Sequence, residues 1–403
     1  MSITTPTQET GWRIYLQPMM AGALAAVVGY ASTFTVVLAA LTAAGASPQQ
    51  AGSGLFAACL VIGVINIVGS ARLRMPVSFA WSTPGMAFLL TAGATDGGFP
   101  AVVGAFMVAA GLIVLTGLFK PLARLVGAIP APIANAMLAG MLLPLCLVPL
   151  TAVAELPALA LPILLAWVIA LRFARRYAVP IAVAVTAAML AVSTHLAPGS
   201  LDGTWPTLLP VMPQFTLDGA LRLGLPLFIV TMASQNLPGL AVLQANGYHP
   251  APAPLFTVTG IASAVSAVFG GHTVNLAALT AAICAGPESH PDPQHRWPAP
   301  IAAGVVYLFL GLAASLAAAF IAASPPLLIQ TVAGLALLSS LVAALTGALA
   351  QEEVRLPAMM CFITTASGIT IAGLGAPFWG LIGGIGMLVL LGWKLRGDTA
   401  GRS

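Results

Sequence analysis

Long apolar runs fill this chain, and short clusters of proline, glycine and charged residues separate them. Each run is about as long as a membrane-spanning helix, because the hydrocarbon core of a bilayer is about 30 Å thick and needs roughly 20 apolar residues per helix. Dividing the sequence at the clusters predicts fourteen segments. Their centres lie approximately at residues 30, 60, 84, 107, 140, 163, 186, 230, 260, 279, 310, 337, 363 and 385. The third and tenth segments are short and badly interrupted.

The composition indicates a protein that lies almost entirely in a membrane. Of the 403 residues, 59% are hydrophobic and only 6% are charged, which no water-soluble domain of this size could carry on its surface. The predicted fold class is therefore an all-α polytopic membrane protein. The four cysteines lie in apolar runs without CxxC spacing and are interpreted as core residues, not as disulfides or metal ligands. No phosphate-binding loop of the GxxxxGK[ST] type occurs, so ATP-driven transport by this chain alone is not predicted. No cofactor is predicted either.

The basic residues give these segments an orientation. If the N-terminus lies in the cytoplasm, 13 of the 14 lysines and arginines fall on the cytoplasmic side and Arg222 alone falls outside. The positive-inside rule therefore supports the segment count, because removing one segment would reverse every later loop. We expect both termini on the cytoplasmic side of a bacterial-type inner (plasma) membrane. The net charge of +4 is then a topology signal, and no nucleic-acid partner is predicted.

The two halves of the sequence match each other in several places. GYAS at residues 29–32 aligns with TMAS at residues 231–234, an offset of 202 (234−32). Gly140 aligns with Gly334 at an offset of 194 (334−140). Each match is weak alone, but the matches occur in the same order. With seven segments in each half, residues 1–200 and 201–403 would form two inverted repeats, an arrangement typical of transporters with a substrate site at the midplane.

Both interrupted segments read as a short extended piece followed by half a helix. In PVSFAWSTPG (residues 76–85), Ser82, Thr83 and Pro84 form a favourable N-cap and first turn. In GGHTVNLAALT (residues 270–280), two glycines precede a β-prone HTVN and then a helical run. Extended backbone at membrane depth needs protein or water as partner, so we expect the two pieces to face each other and to direct helix N-termini at one anion-attracting point. Ordinary kinked helices are the alternative.

Amides inside an apolar run are the first candidates for a substrate site. Gln235 and Asn236 suit a carboxylate, or a backbone that needs partners, and hydrogen bonding between helices is the alternative. Pro238 and Gly239 follow them and favour a kink, with close helix packing as the alternative. His272 is the one histidine well inside an interrupted segment, which suits proton coupling, and a neutral histidine that caps irregular backbone is the alternative.

Further candidates lie at the helix starts and among the aromatic residues. The candidates for substrate contact are Ser82, Thr83, Thr273 and Asn275 at the two helix starts, Ser32 at the position that matches Ser234, and the aromatic residues Tyr30, Phe34, Phe79 and Trp81. Aromatic residues in apolar segments more often serve packing alone. Asp218 and Arg222, one helical turn apart, predict a surface ion pair. Residues 286–297 are interpreted as a solvated cytoplasmic loop and not as a metal site.

Four long motifs carry a resemblance to a known family. They are GYASTFTVVLAAL (residues 29–41), MPVSFAWSTPG (75–85), SQNLPGLAVLQANGY (234–248) and FGGHTVNLAALTAAICAGPESHPDP (269–293). Over essentially its whole length the chain resembles the benzoate/proton symporter family, which is similar in architecture to uracil/xanthine permeases and sulfate-type anion transporters. The resemblance implies a core domain at about residues 14–119 and 217–323 and a gate domain at about residues 128–196 and 324–395. It also implies elevator-type movement of the core against the gate, and it allows a homodimer.

One departure from the related permeases bears on the substrate. Nucleobase permeases carry an acidic residue in the eighth segment, where this chain has Gln235, and another in the tenth, where it has leucine and threonine. A fixed carboxylate would repel a carboxylate substrate, so the resemblance implies proton-coupled uptake of benzoate or a similar aromatic carboxylate. An inorganic-anion or nucleobase carrier is the alternative, a channel is less favoured, and an enzyme is not expected. The proton carrier is left unassigned, with His272 as the candidate.

Overall fold

The computed structural model describes residues 14–93, 95–193, 205–322, 325–371 and 374–391. The elements of the first half are α1 (Leu16–Ala43), α2 (Pro48–Leu73), β1 (Phe79–Trp81), α3 (Thr83–Ala92), α4 (Gly98–Leu118), α5 (Lys120–Gly127), α6 (Ala131–Glu155), α7 (Pro157–Phe173) and α8 (Ala178–Ser193). Those of the second half are α9 (Leu217–Ala245), α10 (Pro252–Val268), β2 (Val274–Leu276), α11 (Leu279–Ala285), α12 (Pro298–Gly311), α13 (Ala314–Ala322), α14 (Pro326–Ala348), α15 (Arg355–Ala366), β3 (Thr370–Ile371), β4 (Leu374–Gly375) and α16 (Ala376–Leu390). Each half therefore begins with two helices, a short strand and a half-helix.

Helices long and apolar enough to cross a membrane account for much of the described chain. Six single helices meet this requirement, namely α1, α2, α4, α6, α9 and α14, and the pair α12 and α13, bent by 52°, makes a seventh if it is one span. Shorter apolar helices include α3, α7, α10 and α16. Each of the fourteen predicted centres lies in a helix of this structure. The protein is thus a multi-pass, mostly helical membrane protein, while the count of fourteen spans stays a prediction.

Helices of the two halves pack on each other in matched pairs. α2 lies against α12, α4 lies against α10, and α6 lies against α14. Two glycines that match in the repeat permit close approach of helices, Gly140 of α6 toward α15 and Gly334 of α14 toward α6. A Cβ added at Gly140 of α6 would lie 2.6 Å from the Thr365 Cβ, and one added at Gly334 of α14 would lie 2.3 Å from the Leu145 carbonyl oxygen. A larger side chain at either position would force helices apart. Close helix packing therefore explains why both halves have glycine at this position.

A small apolar cluster lies apart from the main core. It joins α6, α7, α8 and α14, and its buried members are Ala152, Ala160, Ile163, Ala182, Leu328, Val332 and Leu335. These helices fall within the residues that we assigned to the gate domain. The boundaries of the core and gate domains themselves stay a prediction.

The two interrupted segments do face each other, as the sequence predicts. β1 pairs with β2 in an antiparallel two-stranded ribbon, with Phe79 opposite Leu276 and Trp81 opposite Val274. The boundaries of the second piece differ from the expectation, because the strand covers Val274–Leu276 and the helix begins only at Leu279. The reason is that pairing continues past the strand, where the Ala277 N–H donates to the Ser78 carbonyl at 2.9 Å. Backbone groups at this depth are thereby satisfied by protein.

Pro238 and Gly239 do not divide α9, although the sequence allowed a kink there as well as close packing. It runs as one helix from Leu217 to Ala245, with π-helical turns at Ala220–Gly224 and Met232–Asn236. The second π turn ends two residues before Pro238, so the proline, which has no N–H to donate, follows a stretch where the regular hydrogen-bond pattern of the helix is already interrupted. Gly239 serves close packing instead, since a Cβ there would lie 2.8 Å from the Leu276 Cβ.

Candidate functional site

Three hydroxyl side chains meet where α9 crosses the ribbon. The Thr231 Oγ1 donates to the Ser82 Oγ at 3.0 Å and lies 3.2 Å from the Thr273 Oγ1. The Ser82 Oγ also accepts from the Gly85 N–H at 3.1 Å, so Ser82 is the N-cap of α3 as the sequence predicts. All three side chains are fully buried. We call them the hydroxyl junction, and they tie α9 to both interrupted segments.

Asn275 strengthens the same junction. The Ser82 N–H donates to the Thr273 carbonyl at 3.0 Å, which extends the ladder by one bond beyond Trp81. With its amide oxygen turned toward Ser82, Asn275 accepts from that N–H at 2.9 Å and donates to the Leu276 carbonyl at 2.8 Å. Ser82, Thr273 and Asn275 therefore lie together, as predicted, but all are buried and engaged with each other. Direct contact of these three with a substrate stays a prediction.

Each strand is also held by a polar side chain from the helix before it. The Asn66 side chain of α2 accepts from the Phe79 N–H at 2.9 Å and donates to the Phe79 carbonyl at 2.8 Å. The Ser263 hydroxyl of α10 likewise accepts from the Val274 N–H at 2.8 Å and donates to its carbonyl at 3.1 Å. These two contacts, the strand clips, occupy matching places in the repeat.

Sequence reasoning missed the strand clips and Thr231. An amide in the middle of α2 is a usable signal for Asn66, because a buried amide in an apolar helix needs partners. Ser263 gives no comparable signal, since a serine in a membrane helix can bond to its own helix. Thr231 stands beside the amides that we singled out, and only the fold shows that it reaches both interrupted segments.

Asn236 has a defined structural partner. Its Oδ1 accepts from the Leu276 N–H at 2.8 Å, and its Nδ2 lies 3.1 Å from the Met232 sulfur. The side chain is fully buried. Of the two uses that the sequence allowed for this amide, the structure therefore realises the satisfaction of irregular backbone.

Gln235 is in a different situation from its neighbour. It is partly exposed, and its side chain makes no hydrogen bond to any described residue. Residues 233–235 of α9 and residues 31–34 of α1 are partly exposed although both stretches lie in the middle of long helices. Ser32 and Ser234, the matched serines, each donate to the carbonyl four residues earlier at 2.6 Å. Both stretches lie on helices that contact the ribbon, and Thr83 at the start of α3 is also partly exposed.

Trp81 is at the centre of an aromatic group. Its ring lies 5.6 Å from Tyr30 and 5.6 Å from Tyr307, and Tyr30 is stacked on Phe34 at 5.4 Å. The Trp81 Nε1–H donates to the Thr33 Oγ1 at 3.0 Å, which fixes the indole against α1. Phe79 lies apart from this group, because its ring packs against Gly69 of α2. Of the predicted aromatic residues, Tyr30, Phe34 and Trp81 are thus brought together and Phe79 is not.

His272 is fully buried just before β2. Its ring centre lies 6.3 Å from that of Trp81. Neither ring nitrogen has a hydrogen-bond partner within the described part of the chain. Burying a polar group without a hydrogen-bond partner costs free energy and calls for an explanation, such as an internal water molecule or reversible protonation. The predicted alternative, a histidine that caps irregular backbone, has no bond to support it.

A polytopic helical bundle with two matched half-helices at a central polar ribbon is the architecture of a membrane transporter. The chain belongs to the benzoate membrane transport family, because the family model described as benzoate membrane transport protein (BenE) matches residues 13–390. It is 40% identical over 378 residues to inner membrane protein YdcO of Escherichia coli (strain K12), covering 92% of this chain and 95% of that protein. It is 32% identical over 393 residues to the benzoate membrane transport protein of Acinetobacter baylyi (strain ATCC 33305 / BD413 / ADP1), covering 96% of this chain and 97% of that protein.

A solved structure shares the fold. The transmembrane domain of a cyanobacterium bicarbonate transporter, BicA, superposes with a TM-score of 0.62 and 18% sequence identity, covering 94% of this chain and 99% of that domain. This likeness confirms the predicted relation to anion transporters at the level of fold.

Proposed function

We propose that this transporter carries benzoate or a similar aromatic carboxylate into the cell together with a proton. The observation that carries the proposal is the pair of partly exposed stretches on either side of the ribbon, residues 31–34 and 233–235. One stretch offers the aromatic ring of Phe34, which is stacked on the buried Tyr30, and the other offers the unengaged amide of Gln235. An aromatic carboxylate needs both kinds of surface, one for its ring and one for its oxygens.

The carboxylate end would lie between Gln235 and the start of α3. Thr83 begins that helix and is partly exposed, and a helix N-terminus attracts an anion. Neither stretch contains an acidic residue, so no fixed negative charge opposes the substrate there. Ser82 and Thr273, through the hydroxyl junction, and Asn275, through its bond to the Ser82 N–H, would hold the start of α3 in place for this site.

Alternating access would move the ribbon and its helices against α6 and α14. The small apolar cluster of α6, α7, α8 and α14 supports a gate that holds together on its own. In this proposal the protein works in the inner membrane with both termini in the cytoplasm, and a homodimer is compatible with it. The relative from Escherichia coli is named an inner membrane protein, which supports the location.

His272 is the proposed proton carrier. Its two ring nitrogens, which have no hydrogen-bond partner among the described residues, and its position 6.3 Å from the Trp81 ring support this role. Replacing it with glutamine keeps a polar side chain but removes titration. His272→Gln should therefore abolish concentrative uptake under a proton gradient while substrate binding survives, and unchanged concentrative uptake would remove His272 from this role.

An inorganic-anion carrier is the second candidate, because the structure that shares the fold is named a bicarbonate transporter. Uptake into proteoliposomes separates the two. Radiolabelled benzoate, bicarbonate, sulfate and uracil are compared with and without an inward proton gradient. The proposal expects benzoate uptake that collapses when a protonophore removes the gradient. Benzoate uptake that does not depend on the gradient contradicts proton symport. Uptake of bicarbonate or sulfate without uptake of benzoate contradicts benzoate as the substrate.

A further inference from the structure

A cavity lies away from the ribbon, at the C-terminal end of α3. Its volume is about 240 Å³, and it opens between α3 and α9 on one side and α6, α15 and α16 on the other. We call it the outer cavity, because Arg222, which lines it, is the basic residue that the charge distribution predicts to lie outside. A cavity of this size is smaller than those that hold drug-sized ligands, which begin at about 300 Å³, and therefore suits a smaller solute.

The lining of the outer cavity combines apolar surface with one cation. Phe88, Met141 and Pro144 supply the apolar surface, and Thr91 supplies a hydroxyl. Arg222 is the one lysine or arginine among the described lining residues. A guanidinium binds a carboxylate through two parallel hydrogen bonds, so this combination matches a ring with a carboxylate attached.

Arg222 is held only loosely. Its Nη1 lies 3.4 Å from the Asp218 Oδ1, and the two side chains are 41% and 42% exposed, which confirms the predicted surface pair. An exposed pair with so long a contact contributes little energy, so the guanidinium can exchange Asp218 for another carboxylate at small cost. Asp218 lies in the first turn of α9, where the helix N-terminus stabilises its charge after Arg222 has left.

Two helices connect the outer cavity to the hydroxyl junction beside the proposed substrate site. Phe88 lies six residues from Ser82 on α3, which is about 9 Å of helix. Arg222 lies nine residues from Thr231 on α9, which is about 14 Å. Both helices therefore lead from the cavity to the hydroxyl junction.

We propose that the outer cavity is a first binding site for the carboxylate substrate, with Arg222 as its anion-binding residue and Asp218 as the competing carboxylate. This inference rests on the proposed function for the identity of the substrate. It predicts opposite effects on the affinity for the carboxylate. Removing Arg222 removes the attraction, whereas neutralising Asp218 releases Arg222 to bind the substrate. Asp96, which also lines the cavity, adds a second repulsive charge.

A cysteine placed in the cavity tests binding without transport. Thr91→Cys introduces an exposed thiol, and the four native cysteines are buried. The purified protein is treated with an anionic and a cationic methanethiosulfonate reagent, with sodium benzoate or with the neutral analogue benzamide. We expect benzoate to slow modification several-fold and benzamide to have no effect. Arg222→Gln should abolish the protection and shift the ratio of the two reagent rates several-fold toward the cationic reagent, and Asp218→Asn should shift it the other way.

A matched variant separates this site from the central one. Gln235→Ala in the Thr91→Cys background should keep the protection by benzoate, because Gln235 lies at the ribbon. Loss of protection in that variant, or full protection in Arg222→Gln, would overturn the inference.

Uptake kinetics then distinguish the two proposals. In proteoliposomes, Arg222→Gln should raise the KM for benzoate about tenfold with little change in maximal rate, and Asp218→Asn should lower the KM. If the wild-type protein takes up benzoate and these variants do not change its KM, the outer site is wrong and the proposed function stands. If benzoate protects the thiol of the Thr91→Cys variant but is not transported, the proposed function is wrong and the outer site stands.

Discussion

α1 and α9 occupy matching places in the two halves, yet they hold the central ribbon by different means. α1 is a regular α-helix, and it meets the ribbon through aromatic contacts and the single hydrogen bond from Trp81 to Thr33. α9 contains two π-helical turns and meets the ribbon through the buried polar side chains of Thr231 and Asn236. The same topology therefore supports an apolar contact on one side and a polar contact on the other.

This difference has a physical origin in helix geometry. A π turn widens the helix and changes which side chains point in one direction, and such turns occur often at functional sites. In α9 the turn at Met232–Asn236 contains both Gln235, which is partly exposed, and Asn236, which is buried against β2. One of two adjacent amides is thus left partly exposed while the other bonds to a strand, and no such turn interrupts α1.

The largest expected effect comes from removing the polar contact of α9. Asn236→Leu keeps the branched shape but leaves the buried Leu276 N–H without its acceptor, which costs about 1–3 kcal/mol. We expect a clear fall in thermal stability in detergent and loss of transport. The matched variant in α1 is Thr33→Val, which removes only a partly buried acceptor for Trp81 and should cost about 1 kcal/mol or less. Equal losses would show that the two helices are equivalent after all.

Thr231→Val tests the hydroxyl junction. The variant keeps the shape but removes the hydroxyl that connects Ser82 and Thr273, so about 1–2 kcal/mol should be lost. Chemical denaturation of the purified protein measures the free energy of unfolding. Thr35→Val in α1, also a buried threonine but without a described hydrogen-bond partner, is the control and should change this free energy less.

Gln235→Ala should change binding without changing stability. The side chain has no described partner in the protein, so its loss removes only the proposed contact with the carboxylate. We expect the dissociation constant for benzoate to rise about tenfold, equivalent to about 1.4 kcal/mol, as measured by isothermal titration. A fall in thermal stability as large as that of Asn236→Leu, or unchanged affinity, would contradict this division of work between the two amides.

The matched serines should give the smallest and most equal effects. Ser32→Ala and Ser234→Ala each remove one hydrogen bond to the carbonyl four residues earlier in the same helix. Each variant should change stability by less than about 0.5 kcal/mol. Unequal effects would indicate that one of the two serines contacts a substrate.

The sequence predicted the parts of the fold that depend on local pattern. Apolar length located the helices, the Ser82–Pro84 turn located the start of α3, and the order of matching residues indicated two copies. It could not predict the strand clips, because the partners of Asn66 and Ser263 are backbone groups that become neighbours only after the helices pack. It did not predict the π turn of α9 for a related reason, since nothing in the local sequence TMASQNLPG specifies such a turn.

The ribbon also constrains the order in which the protein can assemble. β1 and β2 are separated by 195 positions (274−79), so β1 leaves the ribosome long before its partner strand exists. During that interval the Asn66 clip is the side-chain contact available to its polar backbone within the first half. The centre of the molecule is therefore completed late, and a chain stopped after its first half would retain an unfinished strand with unpaired backbone groups inside the bilayer.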